Sequence, residues 1–206
     1  MKFYEQQQLL VNNFNKRNID VLWFNTFDEI KNYLLFQIPK RAKIGIGNSK
    51  TINNIGITNA LIERGNIVYD KNLAKTKNNI KQLKRKALLS DYFISSANAI
   101  AIDGKIVNID HSGNRVAAIT YGPDIVYIVI GKNKITKTFD DAIVRAKNVA
   151  APLNAKRAGY KPPCISVNEC IDCDSPERIC NVISIITGQS VKGRITILVA
   201  NEEEGF

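Results

Sequence analysis

The sequence predicts an α/β fold, a three-layer sandwich built on a largely parallel sheet with an added β-hairpin. Three observations predict it. Short β-branched runs alternate with amphipathic helical patterns along the chain. The run 125–130 is apolar throughout, as in a strand buried on both faces. Asp103-Gly104 separates the apolar runs 99–102 and 105–109, which predicts a hairpin whose two turn residues both have positive φ.

The first half of the chain alternates helical and strand patterns. Lys2–Lys16 is amphipathic, and the Thr26 to Glu29 spacing matches a capping box that opens a second helix, which Pro39 stops. Strands are predicted between and after these helices. The predicted elements are helix 2–16, strand 19–24, helix 27–37, strand 43–46, strand 67–69 and helix 73–87.

The second half continues the alternation. A helix follows at 116–120, another opens at Thr138 and reaches about Val149, and a short helical turn begins near Pro152. The last two apolar segments admit two interpretations. Segments 182–187 and 194–200 could pair as a final hairpin, or residues 180–185 could finish a helix that begins at Ser175-Pro176. With 206 residues and 45% hydrophobic content, residues 1–206 are expected to form a single domain.

Composition favours a cytoplasmic protein with anionic partners. The net charge is +10 and the pI is about 9.5. No stretch has the apolar length of a membrane span, and the N-terminus lacks the pattern of a signal peptide, so no membrane association is predicted. Segment 75–86 is strongly basic, but it lacks interleaved aromatic residues. A solvated helix face explains it better than nucleic-acid binding does.

Two polar segments are candidate anion sites. Gly45, Gly47, Asn48 and Ser49 follow a strand and precede a helical pattern, where backbone amides can approach a phosphate or carboxylate; an ordinary strand-to-helix turn is the alternative. The second segment contains a carboxylate, an amide and a guanidinium around a glycine: Asp110, Gly113, Asn114 and Arg115.

The arginine of the second segment also has two interpretations. Arg115 could clamp an anionic substrate through two parallel hydrogen bonds, or it could form a buried pair with Asp110 that fixes the loop. The neighbouring His111 is the only histidine, and it is expected to be a solvated loop residue. Adjacent Asp110 and Ser112 cannot form a catalytic triad with it merely by being next to it in sequence.

All four cysteines of the chain fall within 17 residues. In a reducing compartment such clustering favours thiolate ligation over disulfides. The spacing predicts a metal site that would hold zinc or an iron–sulfur cluster, without deciding between them. Redox-active thiols, and reduced cysteines with no special role in a loop spanning 160–180, remain open. The spacing is Cys164-x5-Cys170-x2-Cys173-x6-Cys180.

Several of these motifs together resemble the lactate-utilisation (LUD) domain family, in its single-domain form with a C-terminal cysteine run. The resemblance covers nearly the whole chain. It implies the fold shared by ribose-phosphate isomerase, glucosamine-phosphate deaminase and CoA-transferase-like proteins, and it implies that the glycine turn 45–49 lines a pocket. Asn98, in the matching segment 95–100, is a further candidate for binding the substrate. The matching segments are 45–49, 95–100, 103–104, 107–110, 113–118, 122–123, 129–135, 148–152 and 170–173.

The resemblance also implies a function. We expect an enzyme or enzyme subunit, linked to lactate or organic-acid utilisation, that binds a small anionic metabolite and works with partner subunits of an organic-acid oxidation system or as a homo-oligomer. The alternative is a non-catalytic, metal- or cluster-bearing accessory protein for electron transfer. This chain has His111-Ser112 where many relatives have Gly-Thr.

Overall fold

The structure is a computed structural model that describes residues 3–206, so the predicted helix start at Lys2 lies outside the described residues. Ten strands and nine α-helices form within that range. The strands are β1 (Ile19–Phe24), β2 (Lys43–Ile46), β3 (Ile67–Tyr69), β4 (Tyr92–Ser95), β5 (Ala99–Ala101), β6 (Lys105–Asp110), β7 (Ile125–Gly131), β8 (Ile135–Thr136), β9 (Val182–Ile186) and β10 (Ile195–Ala200).

The helices alternate with these strands for most of the chain. Short 3₁₀ turns at Lys71–Leu73 and Lys132–Lys134 and a π-helical turn at Ala146–Ala150 supplement them. The α-helices are α1 (Phe3–Asn15), α2 (Phe27–Gln37), α3 (Lys50–Ile55), α4 (Ile57–Glu63), α5 (Lys77–Ala87), α6 (Asn114–Thr120), α7 (Phe139–Arg145), α8 (Ala151–Arg157) and α9 (Cys164–Val167).

A six-stranded sheet forms the centre of the molecule, in the order β1-β10-β7-β4-β2-β3. Every pair of neighbouring strands is parallel. The sheet therefore has its carboxyl ends along one edge. From β2 the chain goes outward to β3, and it then returns to the other side of β2 to form β4. Open parallel sheets bind ligands at such a reversal, in the crevice outside the strand ends.

Helices cover both faces of the central sheet, which confirms the predicted three-layer sandwich. Along β7, Val126, Ile128 and Ile130 join one apolar cluster, which includes side chains of α1, α5 and α6. Tyr127 and Val129 face the opposite cluster, which includes α2, α3 and α4. A strand between two helical layers buries both faces, and this explains the uninterrupted apolar run that predicted it.

The predicted hairpin lies in a second, four-stranded sheet with the order β8-β5-β6-β9. Strands β5 and β6 are antiparallel, as predicted, but the predicted turn geometry was wrong. Only Gly104 has positive φ, at +90°, and its amide donates to the Ala101 carbonyl at 3.0 Å. The connection is therefore a three-residue loop, which requires one residue with positive φ. The predicted two-residue Asp-Gly loop would require two.

Neither prediction for the last two apolar segments was correct. Strand β9 pairs antiparallel with β6 in the small sheet, whereas β10 lies parallel between β1 and β7 in the large one. Residues 175–181 are not helical. Every residue of β10 is buried, while most of β9 is exposed. A strand that is apolar on both faces is fully buried only inside the helix-covered sheet. The two segments therefore join different sheets.

The capping residues that predicted α2 and α7 are present in the structure. Thr26 Oγ1 accepts from the Glu29 amide at 3.2 Å, although the Glu29 carboxylate reaches the Asn25 amide instead of closing the box on Thr26. Thr138 and Asp141 form a complete capping box. The helical turn predicted to begin near Pro152 is present as α8, which has Pro152 in its first turn and follows α7 without a break through the π-helical turn.

None of the helices within residues 3–206 has the length and apolar character needed to cross a bilayer.

Candidate functional site

A cleft of about 190 Å³ opens at the carboxyl edge of the central sheet. Residues that directly follow β2 and β4 form one side of it, represented by Asn48 and Ser96, and Lys134 comes from the turn after β7. The polar crossing 110–115, between β6 and α6, forms another side. The cleft therefore lies at the β2–β4 reversal, where parallel sheets place their ligands.

Six of the nine residues predicted to bind substrate line this cleft. The other three are glycines that do not line it: Gly45, Gly47 and Gly113. Gly113 caps α6 with a positive φ of 77°. The lining residues come from both predicted segments and are Asn48, Ser49, Asn98, Asp110, Asn114 and Arg115.

Gly45 and Gly47 allow neighbouring elements to approach β2 closely. A Cβ on Gly45 would lie 2.8 Å from the Ala87 carbonyl of α5. A Cβ on Gly47 would lie 2.3 Å from Ser95 Oγ and 3.3 Å from Arg115 Cγ. The space beside Gly47 thus lets β4 and the Arg115 side chain pack against β2, and this brings the two predicted polar segments together.

Arg115 is buried beneath the cleft, with 9% of its surface exposed. Its four terminal N–H groups all donate to protein acceptors at 2.7–3.1 Å. Asp110 accepts from the Arg115 backbone amide at 3.0 Å, and its other oxygen lies 3.9 Å from Nε. Burial lowers the pKa of Arg115, while Asp110 opposes that shift. The geometry matches the buried-pair interpretation. The four acceptors are the Ser96 carbonyl, Asn108 Oδ1, Asn98 Oδ1 and the Ile109 carbonyl.

Two cations that sequence analysis did not assign to the site converge on Asn48. With the Asn48 amide oriented so that its oxygen faces them, that oxygen accepts from Lys71 Nζ at 3.0 Å and from Arg157 Nη2 at 3.1 Å. Arg157 Nη2 also donates to Asn154 Oδ1, at 2.7 Å. Lys71 and Arg157 are 86 positions apart in sequence, so no local pattern indicates that they meet.

A third unassigned cation comes from the basic helix. Lys84 Nζ donates to Ser112 Oγ at 2.9 Å, and Ser112 in turn donates to Asn114 Oδ1 at 2.8 Å. Lys84 was predicted to belong to a solvated face. It lies one helical turn after Ile80, at the edge of the apolar stripe, and that spacing is the signal that could have identified it.

The cleft carries a large excess of positive charge. Burial lowers the pKa of Lys71, and the nearby Lys84 and Arg157 lower it further, while Asp110 and Asp70 oppose the shift. Burial also lowers the pKa of Arg157. A bound anion would relieve this repulsion. Asp110 is the single carboxylate side chain in the lining, against six basic residues: Lys50, Lys71, Lys84, Arg115, Lys134 and Arg157.

Lys134 is the most buried of the six basic residues, with 2% of its surface exposed. Its Nζ donates to Thr51 Oγ1 at 3.0 Å and to Ser96 Oγ at 2.9 Å. Burial is the main cause that lowers the pKa of Lys134 to about 7. Lys134 falls in the matching segment 129–135 but was not predicted to belong to the site. Its position directly after the carboxyl end of a buried strand was the available signal.

His111 lies at the rim of the cleft and is exposed, as predicted for a loop histidine. Its ring centroid lies 5.1 Å from that of Tyr160, which lines the same cleft. The Asn181 amide group donates to the His111 carbonyl at 3.1 Å, so the loop before β9 holds this part of the crossing.

All four cysteines line a second, smaller cavity of about 30 Å³, next to Lys147 of the π-helical turn and Ala151 of α8. Burial raises the pKa of the Cys164 thiol, and the other three cysteines raise it further. Arg178 Nη2 lies 3.5 Å from Cys180 Sγ. Within residues 3–206, no three histidine, cysteine or carboxylate side chains are arranged as a complete set of metal ligands.

The π-helical turn supports the cysteine segment from one side. Asn148 lies in that turn, and its Oδ1 accepts from the Cys170 amide at 3.0 Å. Arg178 Nη1 donates to the Cys173 carbonyl at 2.8 Å. The backbone around the Cys170–Cys173 pair is thus tied to the helix and to the segment that precedes β9.

Comparison with known proteins gives one family and one fold. Residues 7–200 match the family model described as the LUD domain. A crystal structure of a DUF162 family protein from Deinococcus radiodurans is similar with a TM-score of 0.58 and 12% identity, over 98% of this chain and 99% of that chain. At that identity the likeness concerns the fold alone. No curated protein matches the sequence.

Proposed function

Because the chain belongs to the LUD-domain family, we propose that its cleft binds a small anionic metabolite, a carboxylate or a phosphate, in a reaction linked to lactate or organic-acid utilisation. In this proposal the protein is an enzyme or an enzyme subunit. Family membership supports a function related to lactate utilisation. The choice of ligand class depends on the chemistry of the cleft.

The convergence of Lys71 and Arg157 on one oxygen atom carries the proposal. Both cations lie within hydrogen-bond distance of the Asn48 side-chain oxygen. A ligand oxygen that replaced the Asn48 oxygen would meet an ammonium and a guanidinium at once, and charge-assisted bonds to anionic oxygens are the strongest hydrogen bonds that proteins make. Lys71 is half-buried, so its attraction for an anion is screened less than at an open surface, whereas Arg157 is exposed.

The dimensions of the cleft restrict the ligand. At about 190 Å³ it is smaller than the roughly 300–1,000 Å³ typical of pockets for drug-sized molecules. Arg115 has its terminal N–H groups committed to the protein, so Lys71, Arg157 and Lys84 supply the free positive charge. A metabolite of a few carbon atoms with one or two anionic groups fits this arrangement.

Binding of L-lactate, pyruvate and inorganic phosphate, measured by calorimetry, tests the proposal. We expect Lys71→Met/Arg157→Met to weaken binding of the best of these at least tenfold, since each lost charged hydrogen bond is worth about 1.5–3 kcal/mol. The matched control is Lys75→Met/Lys156→Met, which removes the same charge from exposed neighbours outside the cleft.

The control double variant should bind within about twofold of the natural protein, because rim charges outside a site contribute little to affinity. Equal losses in both double variants would mean that only net charge matters and would contradict a cleft site. Absence of binding for all three anions would contradict the proposal directly.

The four-cysteine cavity favours a second candidate function, a metal- or cluster-bearing accessory role. All four thiols share one cavity, and their mutual repulsion as thiolates disfavours ionisation of Cys164. A zinc ion or an iron–sulfur cluster would remove that repulsion, and four thiolates satisfy either group. Cys164, Cys170, Cys173 and Cys180 would hold it, after their side chains turn toward a common centre.

Anaerobic purification followed by metal analysis and absorption spectroscopy tests this second candidate. We expect about one zinc ion or one cluster per chain, and its loss in Cys170→Ser/Cys173→Ser. Iron–sulfur charge-transfer bands distinguish the cluster from colourless zinc. A folded, metal-free protein whose four thiols all react with a thiol reagent would count decisively against the site.

A further inference from the structure

Lys134 is a buried lysine in the anion cleft, and anion binding does not explain its burial. Lys134 lines the cleft, yet it is 2% exposed. Among residues 3–206, no carboxylate lies within 4 Å of its Nζ. Lysines are almost never buried this deeply without a charged partner. A permanently charged group for ligand attraction would be better placed at the rim, as Lys84 is.

The hydrogen bonds around Nζ fit a neutral amine. Thr51 and Ser96 donate their hydroxyl hydrogens to the Glu204 and Ala97 carbonyls, both at 3.4 Å, so each hydroxyl oxygen is free to accept from Lys134. These are the two acceptors of Nζ, at 3.0 and 2.9 Å, and none of the described residues supplies a third. A neutral amine has two hydrogens to donate and keeps its lone pair unused, whereas an ammonium has three hydrogens.

The charged surroundings also favour the neutral form. Arg145 and Arg115 both disfavour a proton on Lys134, and Glu204 alone opposes them. Both arginines are fixed in place: Arg145 Nε donates to the Asn133 carbonyl at 3.0 Å, and Arg115 donates to four acceptors. The repulsion at Lys134 is therefore built into the fold and does not depend on flexible surface groups.

We propose that Lys134 is a nucleophilic residue whose amine forms an imine with the carbonyl carbon of a small 2-oxo acid bound in the cleft. The inference rests on the proposed anion binding, because the carboxylate of the acid is held by the cleft cations. It adds the substrate class: an anion that also has a ketone or aldehyde group. Unprotonated lysines held in desolvated sites are suited to such attack.

The step balances without any further reactant. The Nζ lone pair attacks the carbonyl carbon and forms the C–N bond, and one N–H proton moves to the former carbonyl oxygen, which gives a carbinolamine. The hydroxyl then leaves as water with the second N–H proton, and the C=N bond forms. Ser96 and Thr51 touch Nζ and can pass these protons, because each hydroxyl both accepts and donates.

Borohydride trapping tests this inference. Natural protein is incubated with glyoxylate or pyruvate at neutral pH, reduced with sodium borohydride, and analysed by intact mass and peptide mapping. We expect one reduced adduct per chain, located on Lys134. Lys134→Met should lose the adduct, whereas the matched control Lys132→Met should keep it, since Lys132 is exposed in the same 3₁₀ turn and lies outside the cleft.

Peptide mapping keeps the test decisive even if Lys134→Met fails to fold, because the site is read from the natural protein. An adduct on another lysine, or one scattered over several, overturns the inference. If calorimetry shows pyruvate bound in the cleft and borohydride traps nothing, the imine is wrong and anion binding stands. If neither is observed, the imine is wrong, and the anion-binding proposal fails as well when L-lactate and phosphate also do not bind.

Discussion

Arg115 shows how one side chain can be indispensable to a binding site without touching the ligand. Its guanidinium joins the ends of β4 and β6 to the start of α6, through the Ser96 and Ile109 carbonyls and the Asn98 and Asn108 amides. Buried polar atoms without partners are costly, so a buried side chain that donates to four acceptors is difficult to replace. We conclude that Arg115 is a positioning residue for the polar crossing.

This geometry predicts a large loss of stability in Arg115→Met. The substitution removes four buried hydrogen bonds and the guanidinium charge beside Asp110. Asn98 Oδ1 keeps the Ile109 amide and Asp110 keeps the backbone amide of residue 115, but the loss of the guanidinium should still lower the free energy of unfolding by about 3–5 kcal/mol. Urea denaturation followed by circular dichroism measures it. Arg115→Lys should recover only part of the loss, because an ammonium has three donors and no planar fork.

Arg157→Met is the matched control for that measurement. Arg157 also lines the cleft, but it is exposed, and its described contacts are to the side chains of Asn154 and Asn48. Its loss should change stability by less than about 0.5 kcal/mol. If Arg115→Met were as stable as Arg157→Met, the hydrogen bonds around Arg115 would not be structural, and the clamp interpretation would regain support.

At the scale of elements, local patterns identify each strand better than they identify its neighbours. The capping residues at Thr26 and Thr138 and the apolar run of β7 predicted their elements because those signals act within a few residues. The segments that form β9 and β10 were predicted either to pair as a hairpin or, for residues 180–185, to finish a helix, and neither prediction was correct. The two strands differ in their burial. Strand β10 has helices over both of its faces, and no turn signal in the local sequence indicates this difference.

The sequence does not show whether a glycine near the site serves packing between elements or approach of a ligand. The Gly45 to Ser49 segment was predicted as an anion turn or as an ordinary strand-to-helix turn. Asn48 and Ser49 line the cleft, whereas Gly45 and Gly47 make room for α5, β4 and Arg115. A glycine needed for close packing and a glycine needed for ligand approach look alike in sequence, because both follow from the missing Cβ.

At the scale of the whole molecule, the site depends on contacts between distant parts of the chain. Lys71 and Lys134 follow the carboxyl ends of β3 and β7, and the helices α5 and α8 bring Lys84 and Arg157 to the same cleft. Sequence analysis identified that edge through its polar loops, but it could not determine which surface lysines turn inward. The excess of positive charge in the cleft is therefore a property of the fold, not of any motif.

Burial of an uncompensated amine should also be visible in the stability of the whole protein. The pKa of Lys134 is lowered from 10.5 to about 7, chiefly by burial, with Arg145 and Arg115 adding and Glu204 opposing. Between these two values the unfolded chain binds a proton that the folded chain does not. The free energy of unfolding must then rise with pH across that window, by up to about 1.4 kcal/mol per pH unit from this group.

Comparison with Lys134→Met isolates this contribution. The methionine variant lacks the titrating group, so the stability of the natural protein relative to it should rise as pH increases from about 7 toward 10.5, and it should level off beyond these limits. Urea unfolding at pH 6, 7, 8 and 9, run on both proteins and on Lys132→Met, measures the difference. The Lys132→Met variant should parallel the natural protein at every pH. A constant difference between natural protein and Lys134→Met would mean that the amine stays protonated in the fold, and the neutral nucleophile would have to be abandoned.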